Sequence, residues 1–473
     1  MTSAERERRT PQGQGSMAFR SINPHSPSDV VGEYEESAEK GVEEAVSHAR
    51  KALAGWREQT AVARGAALAS IAEEMEEKHE ELSSLIVREV GKPIAEARGE
   101  VSRAISILRY YSQVVLAPDG ETYPASSSSG DWLVARRHPV GVCALITPWN
   151  FPLAIPVWKA APALAYGNTV VLKPAPQSSA VAHRLKEICE RHLPEGVLEL
   201  VLGDVETGEP LVRHPSVDAV SFTGSVRVGL GVARKVSGRG ARVQCEMGGQ
   251  NPSIVLADAD LERAAKTISY AAMGYAGQKC TATSRIIVEE PVYEEFRERI
   301  VAVVEELMVV DPEKDDCLVG PLIAEESRTL ALEAIEKGGG RVITGGHSLE
   351  EEGFYLAPTL IELEDRGSPL VREEVFAPVC VLLRAASAEE ALSIANEVRH
   401  GLAAAVFTEN LAAAIQMTGR LEAGMVRVNA STTGVDYHAP FGGSKGSGVG
   451  PTREQGLAAR EFYTESRTLL ISL

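Results

Sequence analysis

From Val142 onward the chain repeats one pattern: a short apolar run, a turn marked by Gly or Pro, then a stretch with helical spacing. The runs are 142–146, 169–172, 198–202 and 219–222. Runs this short and this uniformly apolar read as strands buried on both faces. Strands that alternate with helices predict a doubly wound α/β sheet. A second series starts at 253–256 and continues to about residue 430. Two α/β domains are expected, with a boundary near Gly248 and Gly249, and 473 residues suffice for two or three packed units. Ahead of the first run, Val42, Val46, Ala49 and Leu53 share one helical face in 42–56. Leu68, Ile71, Met75, Leu82 and Leu85 do the same in 66–87. The chain up to about residue 115 therefore reads as mostly helical. A polar stretch, 118–130, contains Ser126 to Ser129 and precedes a short strand at 132–136. The end, 461–473, reads as a strand without a local partner, which predicts pairing elsewhere, for instance with another subunit.

Charge narrows the function classes. Asp plus Glu number 66 and Lys plus Arg 48, a net charge of −18. Such a chain is not expected to neutralise phosphates, so nucleic acid is an unsuitable partner. An anionic membrane surface is equally unsuitable, and no apolar run reaches the ~18 residues of a membrane span. The first 16 residues are polar, read as a disordered extension, and lack the apolar core of a signal peptide. Met17 is a candidate start. Six cysteines without a Cys-x-x-Cys pair predict neither a disulfide scaffold nor a metal site, and fit a reducing cytoplasm.

Six stretches carry residue types suited to chemistry. Cys280 follows an amphipathic helix at 258–275 and sits beside Lys279; a neighbouring cation lowers a thiol's pKa and favours the nucleophilic thiolate. A buried structural thiol is the other reading. Glu246 ends a strand before Gly248 and Gly249, where it is either a general base or an ordinary solvated carboxylate. Thr147-Pro148-Trp149-Asn150 follows the strand 142–146, at the end where α/β sheets bind ligands. Asn150 there is either an oxyanion donor or a turn residue. Lys173 ends a strand and can reach ribose hydroxyls or a phosphate, or simply be solvated. Gly224 and Ser225 follow a strand and open a helix, a geometry that can hold a pyrophosphate. Glu374 and Phe376 lie in a charged turn before another apolar run, and Gly446, Gly448 and Gly450 form a weaker glycine pattern without a strand–helix context.

Taken together and in this order, the stretches resemble the aldehyde dehydrogenase superfamily, the NAD(P)-dependent enzymes that oxidise aldehydes to acids. The resemblance runs from about Ile22 to Leu473. It implies Cys280 as nucleophile, Glu246 as general base, Asn150 as oxyanion-hole side chain and Lys159 in the catalytic set. It implies that Thr147, Pro148, Trp149, Lys173, Pro176, Gly224, Ser225, Gly248, Glu374 and Phe376 hold NAD or NADP. Phe441-Gly442-Gly443-Ser444-Lys445 matches a late loop of the family's catalytic domain. Two doubly wound α/β domains follow from it: a Rossmann-like cofactor domain of 17–120 and 140–248, and a catalytic domain of 249–447. A small β bridging arm, 121–139 and 448–473, would pair across a homodimer, alone or in a dimer-of-dimers tetramer.

Within the family, the retained Glu246 favours a free acid over acyl transfer to coenzyme A. Many NAD-preferring members carry Glu where this chain has Pro176. The missing carboxylate removes a repulsion on a 2′-phosphate, so NADP is expected to be accepted, even preferred. The run 277–285, the start around Ile22-Asn23-Pro24 and Val30-Val31-Gly32, and the run 452–456 resemble members that oxidise 2-oxoglutarate semialdehyde, also called 2,5-dioxopentanoate. Succinic semialdehyde or a general aliphatic aldehyde is the alternative. An acidic substrate asks for a cation in the pocket, and Arg285, Arg103 and Lys279 are the candidates. The rival classes are a cysteine hydrolase, which would need a His beside Cys280, and a catalytically silent structural or binding relative, against which the retained Cys280, Glu246 and Asn150 argue.

Overall fold

The computed structural model describes residues 18–128, 130–349, 352–450 and 453–472. The extension 1–16, Met17, and Thr452 of the 452–456 run lie outside these residues.

The apolar runs form the strands of two sheets. In the first, the order in space is Gly448–Val449, Arg242–Met247, Ala219–Gly224, Val142–Ile146, Thr169–Lys173, Leu198–Leu200. All neighbours are parallel except the edge strand Gly448–Val449, which pairs antiparallel with Glu246 and Cys245. The chain moves outward from Val142–Ile146 through Thr169–Lys173 to Leu198–Leu200. It then crosses back to the other side with Ala219–Gly224. Loops at the carboxyl ends of Val142–Ile146 and Ala219–Gly224 therefore diverge and open a crevice there. The late glycine pattern gains its meaning here, because 446–450 supplies a strand to a sheet built some two hundred residues earlier.

A second sheet has seven strands, in the order Arg341–Thr344, Thr359–Glu362, Val379–Ala385, Thr283–Glu289, Asn251–Val255, Ala403–Phe407, Met425–Val428. It too is parallel apart from Arg341–Thr344. Only residues 248–250 separate Met247, at the carboxyl edge of the first sheet, from Asn251, at the amino edge of the second. The two edges consequently face one another. Each sheet is covered by helices over its own apolar core.

Among the N-terminal helices, the one expected at 66–87 is two, Ala61–Glu77 and His79–Val90. Lys78 breaks it, with φ −101° and ψ 19°. Helix Ile94–Val114 follows, and places Glu96, Glu100 and Arg103 on one face by their three- and four-residue spacing. Among the described residues, no helix is long and apolar enough to cross a membrane.

The terminal strand corrects one expectation. Thr464–Ile471 pairs antiparallel with Trp132–Pro139 of its own chain, in register from Thr464 opposite Pro139 to Ile471 opposite Trp132. Gly120–Tyr123 adds the third strand. Asn168 donates from Nδ2 to the Tyr463 carbonyl at 2.9 Å, and the Val140 N–H donates to the same oxygen at 3.4 Å. These bonds anchor Tyr463, the residue just before the strand, beside Val140, so pairing within the chain is fixed from that point.

Candidate active site

Cys280 is delivered by a strained turn. Helix Leu261–Met273, capped by Asp260, which accepts from the Arg263 N–H at 3.1 Å, ends at Gly274. Tyr275 and Ala276 then adopt φ of 56° and 52°, a left-handed conformation that non-glycine residues hold only when the surroundings impose it. At Gly277 (φ 67°) a Cβ would overlap the Ala377 carbonyl. The turn sets residues 278–280 at the amino edge of strand Thr283–Glu289. Asn251 and Asn150 from other parts of the chain, and the loop's own Gln278, hold it there. Asn251 donates from Nδ2 to the Cys280 and Ala282 carbonyls, both at 2.8 Å. Gln278 bonds the Pro321 carbonyl and the Ile323 N–H at 3.1 and 2.9 Å. Asn150 donates from Nδ2 to the Gln278 carbonyl at 2.9 Å. Five of the six cysteines are buried and only Cys280 is partly exposed.

The thiol's electrostatics differ from the expectation. Lys279 does not act on it: its Nζ turns to Glu96 Oε1 at 2.7 Å and lies over the Tyr270 ring. An ion-paired lysine has little field left to stabilise a thiolate. Burial, and then the Glu374 and Glu246 carboxylates, push the Cys280 thiol up to about 12, against the N–H groups of Cys280 and Thr281, which point at the sulfur and favour the thiolate.

Glu246 is buried at the carboxyl edge of the first sheet. Its Oε2 accepts from the Gly443 N–H at 2.8 Å, and a Cβ on Gly442 would crowd its other oxygen. Burial and the negative charge of Glu454 raise its pKa well above the usual carboxylate range, opposed by the Gly443 N–H and by Lys159. Lys159 is fully buried, paired with Glu454, and donates to Ser221 Oγ at 2.8 Å. Trp158 Nε1 donates to the second Glu454 oxygen at 2.7 Å. Lys159 thus belongs to a buried network behind Glu246. Glu454 was missed in the sequence, although the 452–456 run singled out there contains it.

The crevice gathers the other predicted residues. Phe376 (φ 58°) meets Trp149 edge-on, ring centroids 5.7 Å apart. Glu374 accepts from the Gly249 N–H at 3.2 Å, and its carboxyl is raised to about 7 by burial. A Cβ on Gly248 would overlap that carboxylate, which is why glycine stands there. Lys173, at the end of its strand, is buried, donates to the Pro174 carbonyl at 3.0 Å, and is lowered to about 8 by burial against the pull of Asp204 and Glu36. Pro176 opens the turn Pro176–Ser178. Gly224 closes its strand, and Ser225 caps helix Val226–Gly238, accepting from the Val228 N–H at 3.5 Å. The Thr147 and Thr223 hydroxyls are buried without partners at the ends of neighbouring strands. Pro148 joins Thr147 to Trp149. Unpartnered hydroxyls, a lysine, a helix N-terminus and glycines along one crevice fit a dinucleotide.

The comparisons agree with this geometry. The sequence profile of the Aldehyde dehydrogenase family matches residues 11–469. The chain belongs to the aldehyde dehydrogenase family. It is 41% identical over 458 residues to the alpha-ketoglutaric semialdehyde dehydrogenase of Bacillus subtilis, covering 95% of this chain and 93% of that one. It is 37% identical over 455 residues to the 2,5-dioxopentanoate dehydrogenase of Saccharolobus solfataricus, covering 95% of each. The crystal structure of an NAD-dependent aldehyde dehydrogenase from Sinorhizobium meliloti matches with a TM-score of 0.93 at 33% identity, covering 97% of this chain and 92% of that one.

On the far side of Cys280 from the crevice, this aldehyde dehydrogenase has a cavity of about 410 Å³. Phe151, Trp158, Phe441 and Tyr270 form its apolar wall, and Cys280 and Thr281 its floor. Trp158 and Phe441 pack with ring centroids 5.4 Å apart. Arg103 and Lys279 line the cavity. Arg285 does not. It is fully buried in the second sheet, donating to the Gln250, Ile394 and Ala395 carbonyls at 2.7 to 3.0 Å. As a substrate-binding candidate Arg285 is therefore set aside, because all its reach goes to backbone oxygens. The ion pair of Lys92 and Glu100 beneath Phe151 was also invisible in the sequence, where its two members carry no motif.

Proposed function

We propose that the protein oxidises an aldehyde to a free carboxylic acid with NAD or NADP as hydride acceptor, through a covalent intermediate on Cys280. One observation carries this reading: the partly exposed thiol stands between a crevice suited to a dinucleotide and a mostly apolar cavity, with backbone N–H groups aimed at its sulfur. The Cys280 thiolate attacks the aldehyde carbon. The oxyanion of the resulting thiohemiacetal takes hydrogen bonds from Asn150 Nδ2 and the Cys280 N–H. A bound nicotinamide supplies the hydride acceptor. The thioester left on Cys280 is hydrolysed by water that Glu246 deprotonates. Lys173 and Glu374 would hold the ribose hydroxyls of the dinucleotide, Ser225 and the helix it caps would hold the pyrophosphate, and Trp149 and Phe376 would bind near the nicotinamide. Lys159, through Glu454, tunes the charge behind Glu246.

The substrate we favour is 2-oxoglutarate semialdehyde, on the strength of the two similar relatives named for it and the run 277–285 around Cys280. Succinic semialdehyde and plain aliphatic aldehydes are the alternatives. NADP is accepted beside NAD, because Pro176 places no carboxylate against a 2′-phosphate. Against the hydrolase reading, the groups with the largest effect on the Cys280 thiol among the described residues are carboxylates and backbone N–H groups rather than an imidazole.

The cofactor domain is 17–120 and 140–248, the catalytic domain 249–447, and the arm 121–139 and 448–473. The arm exposes Tyr123, Trp132, Leu469, Leu470 and Ile471 on a sheet with open edges. Such a surface supports a homodimer, or a tetramer of two dimers. The deciding experiment crosses NAD and NADP with 2-oxoglutarate semialdehyde, succinic semialdehyde and pentanal in one set of initial rates. Preference for the dioxo acid, with turnover on both cofactors, is expected. Failure to reduce either cofactor with any aldehyde would overturn the proposal.

A further inference from the structure

The helix Ile94–Val114 turns three charged residues toward the cavity: Glu96, Glu100 and Arg103. Two of them are already satisfied. Glu96 holds Lys279 at 2.7 Å and accepts from Tyr270 Oη at 3.2 Å. Glu100 pairs with the buried Lys92 and also accepts from the Leu153 and Ala154 N–H groups, both at 2.9 Å. These four charges cancel in pairs. Arg103 has no such partner. Among the described residues its one hydrogen bond goes from Nη1 to the Val435 carbonyl, and no carboxylate lies within ion-pair distance. Glu100 and Asp436 act on its charge only from beyond ion-pair distance, and Arg427, its guanidinium committed to the Thr433 and Gly434 carbonyls, opposes them. The Ser431 and Thr433 side chains complete that wall of the cavity.

A half-buried guanidinium with no carboxylate in direct contact is costly, and a carboxylate brought by a ligand reduces the cost while forming charge-assisted hydrogen bonds. We infer that Arg103 is the specificity-determining residue of this cavity, holding the distal carboxylate of an acidic aldehyde. The inference rests on the reaction proposed above and names its substrate class. Lys279, the other candidate, is excluded because Glu96 neutralises it. Arg rather than Lys suits the task, since the planar fork can give one N–H to Val435 and keep others for the ligand. An uncharged aldehyde would leave the charge unanswered, so discrimination comes from the wrong substrate's failure as much as from the right one's contacts.

The test uses the purified full-length enzyme, Arg103→Met and Arg103→Lys. The ratio of kcat/KM for 2-oxoglutarate semialdehyde to kcat/KM for pentanal, an uncharged aldehyde of the same chain length, is measured for each. Arg103→Met is expected to lower this ratio by about 100-fold, mostly through KM of the acid, with Arg103→Lys recovering part of it. An unchanged ratio, or an equal loss on both aldehydes, overturns the inference. A second measurement does not need turnover. Glutarate should slow alkylation of Cys280 by iodoacetamide in the wild type, and this protection should be lost in Arg103→Met. Equal protection in both overturns the role of Arg103 even where the aldehydes behave as proposed. Protection that depends on Arg103 in an enzyme that oxidises no aldehyde would retire the reaction and leave the anion site standing.

Discussion

The crevice on one side of Cys280 and the cavity on the other are made of different material. The crevice is lined by glycines, strand ends, a helix N-terminus and hydroxyls, contributed by short contiguous stretches such as 147–150, 223–225 and 248–249. The cavity is lined by side chains from helices and loops far apart in the chain, among them Arg103, Phe151, Tyr270, Cys280, Thr433 and Phe441. A dinucleotide is gripped through backbone geometry, which few residue types can supply. An aldehyde is selected by side-chain volume and charge, which many combinations can supply. The difference predicts that changes in the crevice alter cofactor binding for every aldehyde, whereas changes in the cavity alter one aldehyde against another.

The largest effect belongs to the thiol that both sides share. Cys280→Ser is expected to lower turnover by about 1,000-fold or more with every aldehyde, because a serine hydroxyl without an adjacent base is a poor nucleophile. Cofactor binding, followed by fluorescence titration, should persist, and wild-type rates in this variant would remove the covalent mechanism. Next comes Asn150→Ala, which loses an oxyanion donor and should lower kcat by about 100-fold or more. Because Asn150 also ties the Gln278 carbonyl, the melting temperature must be read beside the rate. A drop confined to stability would make Asn150 a strut of the loop.

Glu246→Gln should slow deacylation by about 100-fold and turn a steady rate into a burst of reduced cofactor, an outcome that stopped-flow absorbance will detect. Burial and Glu454 raise Glu246 above the usual carboxylate range, so deacylation should rise with pH as the carboxylate ionises. The sign for stability is opposite. A folded pKa raised above the unfolded one means the native state holds the extra proton. Stability conferred at low pH is then lost as pH climbs from the unfolded value of 4.5 toward the raised one. A deacylation rate flat from pH 5 to 9 would speak against Glu246 as base.

A smaller change tests the crevice alone. Gly248→Ala forces the Glu374 carboxylate aside and should raise KM for the dinucleotide by about 10-fold, equally for all aldehydes. A change that depended on the aldehyde would break the division between crevice and cavity. The smallest effect is expected of Pro176→Glu, which restores a carboxylate near Lys173 and should shift the ratio of NAD to NADP efficiency toward NAD by about 10-fold. No shift in that ratio would show that Glu36 and Asp204, the carboxylates already acting on Lys173, dominate the field there.

Legibility in the sequence followed the same division. Strand Val142–Ile146 was readable to the residue, because a strand buried on both faces must be apolar along its length. Cys280, Glu246 and Asn150 were each ambiguous in their own stretches, and only the resemblance carried by all six stretches in order implied their roles. The helix at 66–87 was read as one piece because Lys78 is chemically unremarkable, and only its backbone shows the break. Lys279 misled for a related reason. Adjacency in sequence says that two residues are close, not which way a four-carbon side chain points, and Glu96 claims it from another helix.

By itself the sequence determined the two doubly wound sheets, the helical N-terminal region, and the order of the stretches that build the crevice. Each of these depends on local spacing of apolar residues and on glycines that only one backbone conformation explains. The tertiary structure decided which charges are spent and which are free. Arg285 is consumed by backbone carbonyls, Lys279 by Glu96 and Lys92 by Glu100, while Arg103 keeps its charge for the cavity. It likewise decided that the last strand pairs within its own chain, and that Glu454 stands behind Glu246. Charge interactions act through space at a few ångströms and carry no signature in spacing, so the partner of a lysine or a carboxylate is known only once the chain has folded around it.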